Sequence, residues 1–509
     1  MQRIGIADLG SNSARLIVFT CEPGQWFRIT DGIRETIRLG EGLGRSGRLS
    51  KGALARAVAA VELFADYARA TGLDRLELLG TSALRDAENR QAFVAAVEPF
   101  GAPVRILTGE EEAELGVSAV ANGFDLRDAW VMDLGGGSAQ LSEMRDRLYV
   151  EGSAHPLGAV RLTEAFLASD PPRVDEVRAL EEAVDEELGG LARGLDGSRP
   201  LVAIGGTVRN LARMAQKARR YPLPMIHGYR LTREALEEVT LRLLQLPRAR
   251  RERLAGLNPD RADIIVAGAL VYRWLLRRTG LEEILISGHG VREGAFFRHF
   301  LDAPHLLPDV RAFSVRNRAR QYPQPGGHVL QVRELAGRLF DLLAPLHGMA
   351  EAERELLDAA AALHDSGTLL HYYRHERHGA YMLIAAPLDG YTHRELALLA
   401  LLVRYHRRGS PKLGAYAPLA RPGDKRRLRQ LTTCLRLAES LERSRAGRVR
   451  DIEIEVGKGS VVLRLVADEE PTVELWEAQK HDRLFRRAFG RRLELESARK
   501  SRRPSRATG

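Results

Sequence analysis

Cysteine is almost missing from this 509-residue chain, which holds Cys21 and Cys434 alone. Two thiols so far apart make neither a disulfide framework nor a metal-ligand spacing, so each reads as a small apolar core residue and the protein is expected in the cytoplasm. Long apolar runs are lacking too. The longest, Ile264 to Leu276, contains Arg273 and is too short to cross a bilayer, so no membrane partner is expected. Strand-like sequence begins almost at Met1, so no secretory leader is expected. Acidic residues are outnumbered, 67 against 77 basic ones, for a formal net charge of +10. That balance suits an anionic partner, whether nucleic acid, polyphosphate or an anionic nucleotide, with a general bias toward arginine as the alternative.

Apolar residues make up 44% and charged residues 28%, the mix of a globular protein, and the length allows roughly three or four domains. Up to about Pro308 strand-like and helix-like segments alternate. Strands are predicted at Arg3–Ala7, Leu16–Thr20, Leu76–Leu79, Val104–Leu107, Leu201–Ile204 and Glu283–Ile286, with helices over Ser50–Ala70, after Thr108, and over Val174–Arg193. Beyond Pro308 long amphipathic helices follow, near Gly327–Leu343, Ala350–His364, Arg374–Ala386 and Thr392–His406. A strand pair, Asp451–Val456 and Ser460–Val466, flanks a Gly-Lys-Gly turn, and the basic stretch from Ser497 reads as a disordered tail. The expected domains are 1–123, 124–308, 309–447, 448–496 and the tail 497–509.

Two glycine-rich loops repeat each other: Asp8-Leu-Gly-Ser-Asn-Ser-Ala-Arg-Leu16 and Asp133-Leu-Gly-Gly-Gly-Ser-Ala-Gln-Leu141. Each follows a short apolar run, so each reads as a strand entering a tight turn whose N–H groups form an anion cradle. The pair implies a duplicated unit with phosphate held between the copies, at Gly10, Ser11, Asn12 and Ser13 on one side and Gly135, Gly136, Gly137 and Ser138 on the other. Asp8 and Asp133 end the two strands. A carboxylate beside phosphate calls for a divalent cation, Mg²⁺, although an Asx turn satisfied by backbone N–H groups is the other reading, most evenly balanced at Asp8.

Glu110, Glu111 and Glu112 open the helix after Thr108, where acidic residues are common on dipole grounds. Phosphoanhydride hydrolysis also needs a group to deprotonate water, and one of these glutamates is the candidate. Arg85, Arg209 and Arg292 lie in strand-to-helix turns, where guanidinium forks match phosphate oxygens. Gly206 and Thr207 belong to the turn that carries Arg209.

Five segments in order, Ile6-Ala-Asp-Leu-Gly-Ser-Asn-Ser13, Gly109-Glu-Glu-Glu-Ala113, Val131-Met-Asp-Leu-Gly-Gly-Gly-Ser138, Gly205-Gly-Thr207 and Gly290-Val-Arg-Glu-Gly294, resemble the exopolyphosphatase and guanosine pentaphosphate phosphohydrolase family over Met1 to about residue 300. The resemblance implies an α/β fold of two ribonuclease-H-like lobes, as in actin, sugar kinases and heat-shock chaperones. It implies Mg²⁺-dependent release of terminal phosphate from inorganic polyphosphate, processively, or of the 5′ γ-phosphate from guanosine pentaphosphate, in a homodimer and with nucleic acid not expected as partner. By position Glu112 is then the general base, Glu111 its neighbour, and Asp133 a metal holder. Gln140 stands where the family usually has glutamate and can hold Mg²⁺ through its carbonyl without adding charge, and Arg15 stands where the family often has histidine; the uncharged Gln140 raises a third reading, a polyphosphate or nucleotide sensor that binds without turnover. The helical region resembles the HD phosphohydrolase fold, and His328, His364, Asp365 and Glu439, with His378 and His406 nearby, make a possible second metal site.

Overall fold

The computed structural model describes residues 1–195, 197–322, 326–386 and 388–499. It separates into a compact unit Met1–Phe313 and a second that begins at Ser314. In the first unit, β1 (Gln2–Leu9), β2 (Ala14–Glu22) and β3 (Trp26–Glu35) form an antiparallel meander, and β4 (Arg75–Gly80) and β5 (Val104–Ile106) add parallel to β1, in the order β3-β2-β1-β4-β5. The second sheet repeats this plan. β6 (Ala129–Leu134), β7 (Ala139–Arg145) and β8 (Leu148–His155) form the meander, β9 (Leu201–Ile204) and β11 (Glu283–Ile286) lie parallel to β6, and β10 (Tyr229–Thr232) closes the edge. The two copies are the ribonuclease-H-like lobes expected from the sequence.

Local chemistry sets the helix ends. Ser50 accepts from the Ala53 N–H to start helix Lys51–Thr71, and Thr108 with Glu111 forms a capping box at the head of helix Gly109–Gly123. That second helix is gripped on two sides. Leu107 and Leu115 pack with Ile4, Ile6, Ile17 and Phe19 of the first sheet, whereas Val117, Val120 and Ala121 pack with Val131, Val202 and Ile204 of the second. Glu112 is therefore delivered between the lobes by a helix that both cores fix.

Three boundaries differ from expectation. Helix Val291–Phe300 packs against the first sheet, with Phe296 stacked on Phe19 at 3.9 Å between ring centroids, so the sequence division at 123/124 is not the division of the cores. Val310 and Phe313 join the same aromatic cluster, which carries the first unit past Pro308 to Phe313. Ser497 is not in a tail but in β14 (Arg492–Arg499), which pairs parallel to β13 (Ser460–Ala467), itself antiparallel to β12 (Val449–Val456); the alternation Leu493-Glu494-Leu495-Glu496 suits a strand with one covered face. Residues 500–509 of the expected tail lie outside the described residues.

The second unit carries the long helices Gly326–Leu342, Glu351–Leu363, His375–Ala385 and His393–Tyr405, and one not predicted, Asp424–Leu441. Among the described residues no helix is long and apolar enough to cross a membrane.

Candidate active site

The two loops close with the same hydrogen bond, Gly10 N–H to Ser13 O at 3.1 Å and Gly135 N–H to Ser138 O at 2.9 Å. Register pairs Asp8 with Arg15 and Asp133 with Gln140, so the repeat seen in sequence is a repeat in space. The loops also touch each other. A Cβ on Gly137 would come within 2.8 Å of Ser11 Oγ and 2.6 Å of Ser82 Oγ, which is why the second loop needs bare backbone there.

Between them lies a polar cavity of about 130 Å³. Its walls are Asp8, Gly10 to Ser13 and Arg15 from the first loop, Thr81 and Ser82 after β4, Glu112, Asp133, Gly135 and Gly136 from the second loop, and Gly205, Gly206 and Arg209 after β9. Arg261, Gly290, Val291 and Arg292 complete them. Gly205 sits at φ 99°, and a Cβ on it would stand 2.7 Å from Asp133 Oδ1, so the turn can approach the carboxylate only as glycine. Arg209 donates to the Ser287 and His289 carbonyls, both at 2.9 Å, which aims its guanidinium along the wall.

Three carboxylates and four guanidinium groups share this space. Burial, then repulsion from Asp133 and Asp8, pushes Glu112 up to about 8 against the opposing pull of Arg85. Burial raises Asp133 to about 6 despite Arg209, and raises Asp8 as well. The same burial pushes Arg209 and Arg261 down to about 10. Asp8 Oδ1 is buried with no hydrogen-bond partner. An orphaned carboxylate oxygen within an all-oxygen set, each member straining against ionisation, suits a hard divalent cation such as Mg²⁺.

Not every residue singled out in the sequence reaches the cavity wall. Arg85 instead holds Glu112, Nη1 to Oε2 at 3.0 Å, and donates to the Leu107 carbonyl. Glu111 is the capping residue, bonded to the Thr108 N–H and paired with Arg105 at 2.5 Å, which leaves Glu112 as the glutamate in the cleft. Thr207 packs on Gly268. Gln140 is buried on the strand beside Asp133, its Nε2 donating to Ser138 Oγ at 2.9 Å while its Oε1 has no partner. Arg261 was missed: it ends the turn Pro259–Arg261, lies over Gly206, and belongs to no glycine motif, so only the Asn258-Pro259 turn could have drawn notice. In the second unit His328, His364, Asp365 and Glu439 do come together, joined by His406 and by His375, not His378.

The chain matches the Ppx/GppA phosphatase family model over residues 17–303, more than half its length, and the model of Ppx/GppA phosphatase domain III over 310–473. It belongs to the Ppx/GppA phosphatase family. Among relatives of this Ppx/GppA protein, Exopolyphosphatase 2 of Mycobacterium tuberculosis is 33% identical over 311 residues, covering 58% of this chain and 97% of the relative. Exopolyphosphatase 1 of the same organism is 32% identical over 302 residues, covering 58% and 88%. In structure, the Aquifex aeolicus Ppx/GppA family member superposes with a TM-score of 0.50 at 26% identity, covering 58% of this chain and 96% of that one. An exopolyphosphatase from Cytophaga hutchinsonii gives a TM-score of 0.55 at 23% identity, covering 59% and 98%, a likeness of fold. The helical region thus corresponds to a Ppx/GppA domain, and nothing in these likenesses assigns it to the HD fold.

Proposed function

We propose that this protein is an exopolyphosphatase, releasing terminal phosphate processively from inorganic polyphosphate with Mg²⁺. The observation that carries the reading is the cavity itself: matched anion cradles face each other across Glu112, and among the described residues that line it none is aromatic. Such a lining grips phosphate oxygens through charge and backbone N–H groups, chemistry that a phosphate chain and a 5′ triphosphate share, and polyphosphate is placed first on the strength of the exopolyphosphatases of Mycobacterium tuberculosis.

In this mechanism the loop N–H groups with Arg15, Arg209, Arg261 and Arg292 hold the oxygens of the terminal phosphoryl group. Glu112, steadied by Arg85, takes a proton from the attacking water. The new P–O bond forms as the anhydride P–O bond breaks, one orthophosphate leaves, and the shortened chain keeps its negative charge on the leaving oxygen. Asp8 and Asp133 would hold the cation, with Gln140 behind Asp133. When bound, Mg²⁺ would supply charge neutralisation on the phosphate oxygens.

The experiment is phosphate release from long-chain polyphosphate, guanosine pentaphosphate and ATP under one set of conditions, with product lengths followed. Long polyphosphate should give the highest kcat/KM, with full-length chains and orthophosphate coexisting and few intermediates. A preference for guanosine pentaphosphate overturns the substrate assignment, and tight polyphosphate binding without release would make the protein a sensor.

A further inference from the structure

The second unit holds a cluster that phosphate hydrolysis in the first unit leaves unused. His328 comes from helix Gly326–Leu342, His364 and Asp365 follow helix Glu351–Leu363, His375 opens the next helix, His406 follows helix His393–Tyr405, and Glu439 lies in Asp424–Leu441. All six side chains are buried.

Their tautomers can be read from the backbone. Nδ1 of His364, His375 and His406 meets the carbonyl oxygens of Ala361, Tyr372 and Val403 at 2.7, 2.8 and 2.7 Å. A carbonyl only accepts, so each Nδ1 carries a proton, and the tautomer this leaves for a metal ligand turns its Nε2 lone pair inward. There the nitrogens confront one another: His375 Nε2 lies 3.1 Å from His406 Nε2, and His364 Nε2 lies 3.4 Å from His328 Nε2, whose Nδ1 is buried with no partner. Two nitrogens bound to one ion at about 2.0–2.1 Å stand about 2.9–3.4 Å apart at ordinary ligand angles.

The carboxylates complete two groups. Glu439 Oε2 is 3.1 Å from His328 Nε2 and 3.2 Å from His364 Nε2. Asp365 lies between the groups, its Oδ1 at 3.2 Å from His375, 3.7 Å from His364 and 4.0 Å from His406, and its Oδ2 at 3.8 Å from His328. Asp365 Oδ1 and Glu439 Oε2 are buried without a hydrogen bond. Protons shared between imidazole and carboxylate would also relieve these contacts, so the deciding quantity is the number of ions bound.

We propose that the second unit carries a dinuclear transition-metal centre, one ion held by His328, His364, Asp365 and Glu439 and the other by His375, His406 and the bridging Asp365. Imidazole-rich ligation selects zinc, iron, manganese or cobalt over magnesium, which separates this centre from the oxygen-lined cleft. The second ion has three protein ligands and keeps open positions, the arrangement of a site that takes an exogenous ligand. Arg445, 41% exposed, donates to Asp365 Oδ2 at 2.7 Å. Once that oxygen is committed to metal, the guanidinium is released at the bridging carboxylate of the centre, so the ligand class is a phosphate-type oxyanion. This centre stands independently of the exopolyphosphatase reading.

The test uses the full chain, stripped of metal and held in excess Mg²⁺ to fill oxygen sites. Cobalt(II) is titrated in, read by the visible absorption of imidazole-bound cobalt, and the retained ions are counted by elemental analysis after desalting. Two cobalt ions per chain are expected, one after His375→Ala with His406→Ala, binding weakened at least 100-fold after Asp365→Ala, and two still after His378→Ala. Inorganic phosphate should perturb the cobalt spectrum, and Arg445→Ala should weaken that effect at least 10-fold. Circular dichroism checks folding, and His375→Gln replaces any alanine variant that fails it. Fewer than two imidazole-bound ions in folded wild type, or an unchanged count after loss of His375, overturns the dinuclear assignment; a spectrum indifferent to phosphate overturns the ligand class.

Discussion

Replacing Glu112 by glutamine removes a proton acceptor and a buried charge together, and the two losses have opposite signs. With its carboxyl pushed from 4.5 to about 8, Glu112 stays protonated in the metal-free fold at pH values where the unfolded chain has ionised it. The native state therefore binds more protons than the unfolded state between about pH 4.5 and 8, and stability falls as pH rises through that window. At about 1.4 kcal/mol per unit the loss above pH 8 is of the order of 3–5 kcal/mol. Glutamine escapes it, and because the pull of Arg85 on the carboxylate is already contained in the shift to about 8, no further charge term is subtracted; the amide oxygen can still accept from Arg85. The net expectation is a variant about 3–5 kcal/mol more stable than wild type at pH 9 in chelator, level with it at pH 4, and slower in turnover by about 10²–10⁴. Thermal melts at pH 4, 7 and 9 in EDTA, repeated in Mg²⁺, read the first effect, and phosphate release reads the second. Near-native turnover, or a melting difference that ignores pH, would refute the placement of Glu112 as a buried base.

Gln140→Glu puts a second carboxylate opposite Asp133 and should lower the Mg²⁺ concentration for half-maximal rate; an unchanged or poorer metal response would show that the site is built around other ligands. Arg85→Met removes the cation that opposes protonation of Glu112, so the acid limb of the pH–rate profile should move to higher pH while Arg85→Lys restores part of it. Gly205→Ala forces a Cβ to φ 99° and onto Asp133 Oδ1, with strain of about 1–3 kcal/mol, and should cut kcat by about 10–100-fold while weakening Mg²⁺; a rate within twofold of wild type counts against the tight turn. A fragment ending after Phe313 should hydrolyse short oligophosphates at nearly the full-chain kcat, with KM raised mainly for long chains once the basic second part of the chain is gone; one ending at Pro308 loses Val310 and Phe313 from the core and should melt lower.

The two lobes were legible because their repeat is written in glycine, aspartate and serine at fixed offsets, and a tight turn between antiparallel strands allows few substitutes. β9 and β11 were found to the residue, since each is a short apolar run cut off by glycine. β3, β7, β8 and β10 were not foreseen. β3 is largely exposed along Trp26–Glu35 and lacks the clean alternation of a half-buried strand. The choice among Glu110, Glu111 and Glu112 rested on resemblance, because all three share one helix turn; only the capping box on Glu111 and the burial of Glu112 separate them physically. Arg85 and Arg209 looked equivalent in sequence, yet one grips the glutamate and the other lines the cavity, a distinction made by distant carbonyls at Leu107, Ser287 and His289. His375 and His378 stand one helical turn apart, and only the packing of the surrounding helices determines which one faces Asp365.

The central claim is that the cleft holding Glu112 cleaves a terminal phosphoanhydride and selects for a chain without a base. Initial rates of orthophosphate release from long-chain polyphosphate and from guanosine pentaphosphate, for wild type and Glu112→Gln side by side in Mg²⁺, test it most directly. The account predicts a kcat/KM at least tenfold higher on polyphosphate and a fall of about 10²–10⁴ on both substrates in the variant. Equal or higher activity on guanosine pentaphosphate, or polyphosphate hydrolysis that survives loss of the Glu112 carboxylate, would contradict it.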